Sequence, residues 1–106
     1  MFGNMLGDMQ ERQKEMQKKL AGITVNAESP GGAVKVTANA ARQLVDIQID
    51  REALDWDDLE MVQDLILAAV NKALEKAAET EQAETQNLVK DMLPPGMGDL
   101  GKLFGQ

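Results

Sequence analysis

The sequence contains no cysteine and no histidine. The first absence rules out disulfides and thiolate zinc sites. The second removes the side chain that most often serves as a general base near neutral pH. Ser29 is the only serine, and it lies in a turn signal with no base beside it, so no usual nucleophile–base pair is on offer. Aromatic residues are limited to Phe2, Trp56 and Phe104, none of them in a predicted strand. A sheet that stacks unpaired bases needs aromatics on its open face, and that mode of reading is not expected. No apolar run approaches the roughly 18 residues of a membrane span, and no uninterrupted apolar stretch near the start suggests a secretory signal. Asp55, Asp57, Asp58 and Glu60 fit the positive end of a helix better than a metal site. Gly31-Gly32 lies between two strands, without the lysine and following helix of a phosphate loop. The expectation is a cytoplasmic protein that is not an enzyme, with no catalytic residues, no cofactor, no metal, no small-molecule substrate and no membrane contact.

What is present suits one domain: 106 residues, 43% of them hydrophobic. The net charge of −7 is unevenly spread. Four basic and three acidic side chains in residues 1–21 sum to +1, residues 22–49 sum to zero, and eleven acidic against four basic groups in 50–90 sum to −7. The acidity belongs to the second half, and the basic groups cluster in the first segment.

That first segment reads as a helix. Phe2, Leu6, Met9, Gln13, Met16, Leu20 and Ile23 form a heptad seam, and Gly22 is a stop. Three runs then alternate with period two: Ile23–Glu28, Val34–Asn39 and Leu44–Asp50, the last with Val45, Ile47 and Ile49 as its apolar set. They predict an antiparallel meander with one wet face. Ser29-Pro30-Gly31-Gly32 and Asn39-Ala40-Ala41-Arg42 are the connections. A long helix follows from Asp58 to about Lys90, with Asp57 as N-cap, Glu60 completing a capping box, and Trp56 and Met61 as a hydrophobic staple. Leu93-Pro94-Pro95-Gly96 ends it. The predicted fold is α+β, an α-β-β-β-α order with a three-stranded antiparallel meander and a long C-terminal helix. Residues 1–92 form the domain and 93–106 a flexible Pro/Gly-rich tail.

Leu65 to Val70 is apolar on every face, and a helix apolar all round must be covered all round. One small sheet and one short helix cover only part of it. A two-fold homodimer is the economical answer, with Leu65, Ile66, Ala69, Val70 and Ala73 as the expected interface.

The ordered set of motifs is similar to the YbaB/EbfC family of bacterial nucleoid-associated proteins. The resemblance rests on Met1-Phe2-Gly3 and the Met/Gln/Lys-rich first helix, and on Glu28-Ser29 leading into Val34-Lys35-Val36-Thr37. Val45-Asp46-Ile47, Ile49-Asp50, the Leu67–Ala73 run and Leu93-Pro94-Pro95-Gly96 complete it, over nearly the whole length. It implies a tweezer-shaped homodimer with projecting helices that binds double-stranded DNA in the nucleoid with little sequence specificity and influences gene expression.

Arg12, Lys14, Lys18 and Lys19 are the main candidates for phosphate contact, with Lys35 and Arg42 secondary. The same residues also read as a hydrated helix face, through Glu11–Lys14 and Glu15–Lys18/Lys19 pairs. The alternative function is an acidic homodimeric protein-interaction module without DNA binding, using the methionine seam. Two local features depart from the family pattern: the second connection has no glycine, and Glu79, Glu81 and Glu84 make the long helix a poor lining for a phosphate grip.

Overall fold

The computed structural model describes residues 2–92; the tail expected at 93–106 lies outside them. Helix α1 spans Phe2–Ala21, strands β1, β2 and β3 span Thr24–Glu28, Val34–Asn39 and Leu44–Ile49, and helix α2 spans Leu59–Met92. The sheet is antiparallel in the order β1-β2-β3. The α+β meander and the long final helix are as the periodicities predict.

The core is thin and small-residue rich. α2 lies over β1 and β2. It sets Val62, Ala69, Ala73 and Ala77 against Ala27, Val34, Val36 and Ala38. The alanines let helix and sheet approach closely, and Val34 and Val36 are the largest side chains fully enclosed. Lys76 fastens the helix to the outer strand by donating to the Asn26 carbonyl at 2.8 Å. The 34 residues of α2 run to about 51 Å, well past the sheet. The radius of gyration is accordingly 19.3 Å, against about 13 Å for a compact chain of this length.

The connections are tightly bonded. Ser29 is buried; its N–H donates to the Val34 carbonyl at 2.8 Å and its Oγ accepts from the Val34 N–H at 3.0 Å. Gly31 and Gly32 take φ of +83° and +77°, which only glycine adopts cheaply. At the other end Asn39 organises the β2–β3 connection, its Oδ1 accepting from Ala41 and Gln43 N–H groups at 3.0 and 3.1 Å. The Ala40 N–H reaches the carbonyls of Leu20 and Ile23 at 3.1 and 2.9 Å, tying this connection to the root of α1.

Four sequence expectations need correction. The cap of α2 is Asp58, whose Oδ1 accepts from the Met61 N–H at 3.1 Å; Asp57 instead sits in a turn closed by Asp55. Trp56 is 45% exposed and donates to the Arg51 carbonyl at 2.9 Å, because the one-residue shift of the cap removes it from the staple position. β3 does not alternate strictly. Its register slips beside Thr37 and Ala38, so Ala38 faces Leu44 and Val45 is the extra residue. Leu44 therefore joins Ile47 and Ile49 on the face that α2 shares. Finally, the α1 seam is unevenly used: Leu20 is buried and Met16 half-buried, but Leu6 and Met9 are about 60% exposed.

Candidate nucleic-acid interface

α1 and the far end of α2 leave the sheet side by side and enclose an open groove of about 1330 Å³. Arg12, Lys14, Lys18 and Lys19 line it from α1 together with Glu15, Met16 and three glutamines, and Thr85, Leu88 and Val89 line it from α2. All four basic residues are exposed. Lys14 and Lys18, four residues apart, share one face of α1, and Arg12 and Lys19, seven apart, share a different one. Lys35 is not part of this group. It lies at the opposite end of β2, on the polar face of the sheet, 4.0 Å from Glu28. Arg42 sits in the connection that is tied to the root of α1.

The ion pairs divide the six candidates equally. Lys19 lies 3.8 Å from Glu84, Lys35 pairs with Glu28, and Arg42 pairs with Glu81. No ion pair among the described residues involves Arg12, Lys14 or Lys18. The local pairs expected along α1, Glu11–Lys14 and Glu15–Lys18, are thus not formed; Lys19 reaches across to the other helix instead. The Arg42 contact is two-pronged: Nε donates to Glu81 Oε2 at 3.2 Å and Nη2 donates to Oε1. The hydrogen bond from Arg42 holds the Glu81 carboxyl below its ordinary range, and the same bond raises the guanidinium further. Nothing in the local sequence announces these partners, which are 39 and 65 residues apart.

A second surface is apolar. α2 leaves β3 uncovered, and Leu44, Ile47 and Ile49 are 44%, 42% and 38% exposed. At about 100° per residue, Leu59, Ile66, Val70 and Leu74 lie on the α2 flank that also carries Glu81. That flank faces the β3 side, since Glu81 meets Arg42 at the β2–β3 connection. Leu59 is exposed and the other three half-buried, and Leu67 beside them is 58% exposed. Of the residues expected to pair two copies, Leu65, Ile66 and Val70 keep surface. Ala69 and Ala73 are completely buried against the chain's own sheet and have none to offer. Sequence reading placed them by apolarity alone, and alanine is the residue that suits close helix–sheet packing.

A thin α+β platform carries two projecting helices with a groove between them that basic side chains of α1 line. The chain belongs to the YbaB/EbfC DNA-binding family, whose model matches residues 1–92. It is 46% identical to a nucleoid-associated protein of Thermodesulfovibrio yellowstonii, over 100% of this chain and 96% of that one. A nucleoid-associated protein of Chlorobaculum tepidum is 40% identical, over 98% and 93%. Among solved structures, an uncharacterized protein of Helicobacter pylori superposes with a TM-score of 0.65 at 27% identity, covering 83% of this chain and 92% of that chain. The family is defined by DNA binding and not by a reaction. No helix among the described residues is long and apolar enough to cross a membrane.

Proposed function

We propose that the chain acts in the nucleoid as a homodimer that binds double-stranded DNA through phosphate contacts, with little sequence preference, and thereby influences gene expression. The observation that carries this reading is the groove, whose walls hold Arg12, Lys14 and Lys18 exposed and without an ion pair among the described residues, with Lys19 at its root. Phosphate-directed lysines and arginines position a protein on a duplex without reading bases. The nucleoid association of relatives 40–46% identical over almost the full length supports the same setting, in the cytoplasm. The second copy is supported by the uncovered β3 face and the adjoining flank of α2. Each large apolar side chain there forgoes about 1.5–3 kcal/mol of burial in a lone protomer.

The deciding measurement is a titration of a fluorescent duplex across salt concentrations. The three groove cations that form no ion pair among the described residues, six in a dimer, set a slope of log K against log salt of roughly −5, at about 0.9 per phosphate contacted. Lys14→Glu, Lys18→Glu and Lys19→Glu together abolish the complex while leaving the fold intact. Absence of any complex at about 50 mM salt, where such contacts are strong, overturns the reading in favour of a protein-interaction module.

A further inference from the structure

The long helix is the acidic part of the chain, yet two of its carboxylates are turned towards the basic side chains. Glu81 and Glu84 keep only 24% and 28% of their side-chain surface, whereas their partners Arg42 and Lys19 keep 62% and 54%. Glu79, between them and the sheet, is exposed and forms no ion pair among the described residues. The shielded member of each pair is therefore the acid, and the cation stays accessible. Both cations stand where α1 leaves the sheet. Lys19 is in its last turn, and Arg42 is two residues from Ala40, which bonds the Leu20 and Ile23 carbonyls.

From this placement we propose that Glu81 and Glu84 are internal counter-ions that compete with phosphate for Arg42 and Lys19, and so determine how tightly and how salt-dependently the basic surface at the root of α1 takes up DNA. The inference rests on the duplex-binding reading above. Its chemistry is that of like ligands. A carboxylate that engages Nε and Nη2 of an arginine occupies the forked edge that a phosphate would use. Arg42 has that edge closed by Glu81. Lys19 is a point charge partly neutralised by Glu84 at 3.8 Å. In a dimer a duplex meets Arg12, Lys14 and Lys18 of each copy without an ion pair among the described residues, and must displace a carboxylate to engage each of four more cations. Lys35 and Glu28 do not belong to this device, because both are more than half exposed and lie away from the groove.

The device predicts a difference between acids of equal charge. Glu81→Gln with Glu84→Gln removes two negative charges per protomer and frees two cations, with almost no change in side-chain volume. Glu75→Gln with Glu79→Gln removes the same charge from exposed positions that hold no cation. The wild-type chain and both double variants are titrated with the same duplex from about 50 to 200 mM salt, after circular dichroism shows equal helix content and melting. The expected result is that the 81/84 variant binds at least tenfold more tightly. Its salt slope should also be steeper by up to roughly 3 to 4, at about 0.9 per freed cation over four in the dimer. The 75/79 variant should shift modestly at unchanged slope. Equal behaviour of the two double variants, or an 81/84 variant indistinguishable from wild type, overturns the counter-ion role while leaving DNA binding in place. No complex with any of the three chains removes the DNA reading itself, and this inference with it.

Discussion

Arg42 occupies a left-handed backbone conformation, φ +62°, while the Nε–Nη2 edge of its guanidinium is held by both carboxylate oxygens of Glu81. The connection that lacks a glycine thus uses an arginine where glycine would be unstrained. A left-handed conformation costs an L-residue about 1–2 kcal/mol, and a solvent-exposed ion pair offsets little of it. Arg42→Ala loses the pair and keeps the strain; Arg42→Gly loses the pair and relieves it. Urea unfolding should find the glycine variant more stable than the alanine variant by about 1 kcal/mol. Equal stability of the two would show that the turn carries no strain.

The same pair has a pH signature. Because the Glu81 carboxyl is lowered in the folded chain, its stabilisation is complete above the ordinary glutamate range. It is lost as pH falls through the lowered value. Carboxyl NMR titration should show Glu81 titrating below the ordinary glutamate range. In Arg42→Gly it should return to the ordinary range. An unshifted Glu81 in the wild-type chain would mean that the contact does not persist in solution.

Ser29 has no catalytic setting, but it closes the first hairpin. Removing its Oγ in Ser29→Ala leaves the Val34 N–H without its partner in a buried position. An unsatisfied buried donor costs about 1–3 kcal/mol. Chemical denaturation should register a loss of that size; a loss below about 0.5 kcal/mol would indicate that water replaces the hydroxyl.

The start of α2 separates two adjacent aspartates. Asp58 caps the helix and Asp57 does not. Asp58→Ala should lower stability by about 1 kcal/mol, and Asp57→Ala should have a smaller effect. The reverse order in thermal melts would restore the cap to Asp57.

The open β3 face and the enclosed helix–sheet core also respond differently. Ile47 is 42% exposed in the protomer, whereas Ala69 is completely enclosed. Ile47→Asp should yield a folded monomer in analytical ultracentrifugation, with helix content preserved. Ala69→Asp should unfold the chain, since an unpaired buried charge is severely destabilising. A wild-type chain sedimenting as a monomer would remove the case for pairing.

Much of this was legible in the sequence, for reasons that differ between elements. The alternation of Val34, Val36 and Ala38 and the length of the second helix are local patterns, and local patterns map directly onto strands and helices. The division of the basic residues was not legible. Whether Lys19 and Arg42 are free depends on Glu84 and Glu81, and only the packing of α2 across the sheet brings these together. The slip in β3 was hidden for a related reason. Leu44, Val45, Ile47 and Ile49 are all apolar, so either of the first two could face α2, and pairing with Ala38 decides it. The roles of Ala69 and Ala73 turned on size and not on hydrophobicity.

The slip at Val45 has a consequence before any partner is met. β3 is an outer strand with isoleucines on one face and an unpaired backbone edge, the kind of template on which nascent chains stack into aggregates. A bulge bends and twists such an edge, and Asp46 next to it adds a charge, so a flat incoming strand finds no continuous register. Repairing the slip by deleting Val45 would make the strand more regular and the freshly synthesised chain harder to keep in solution.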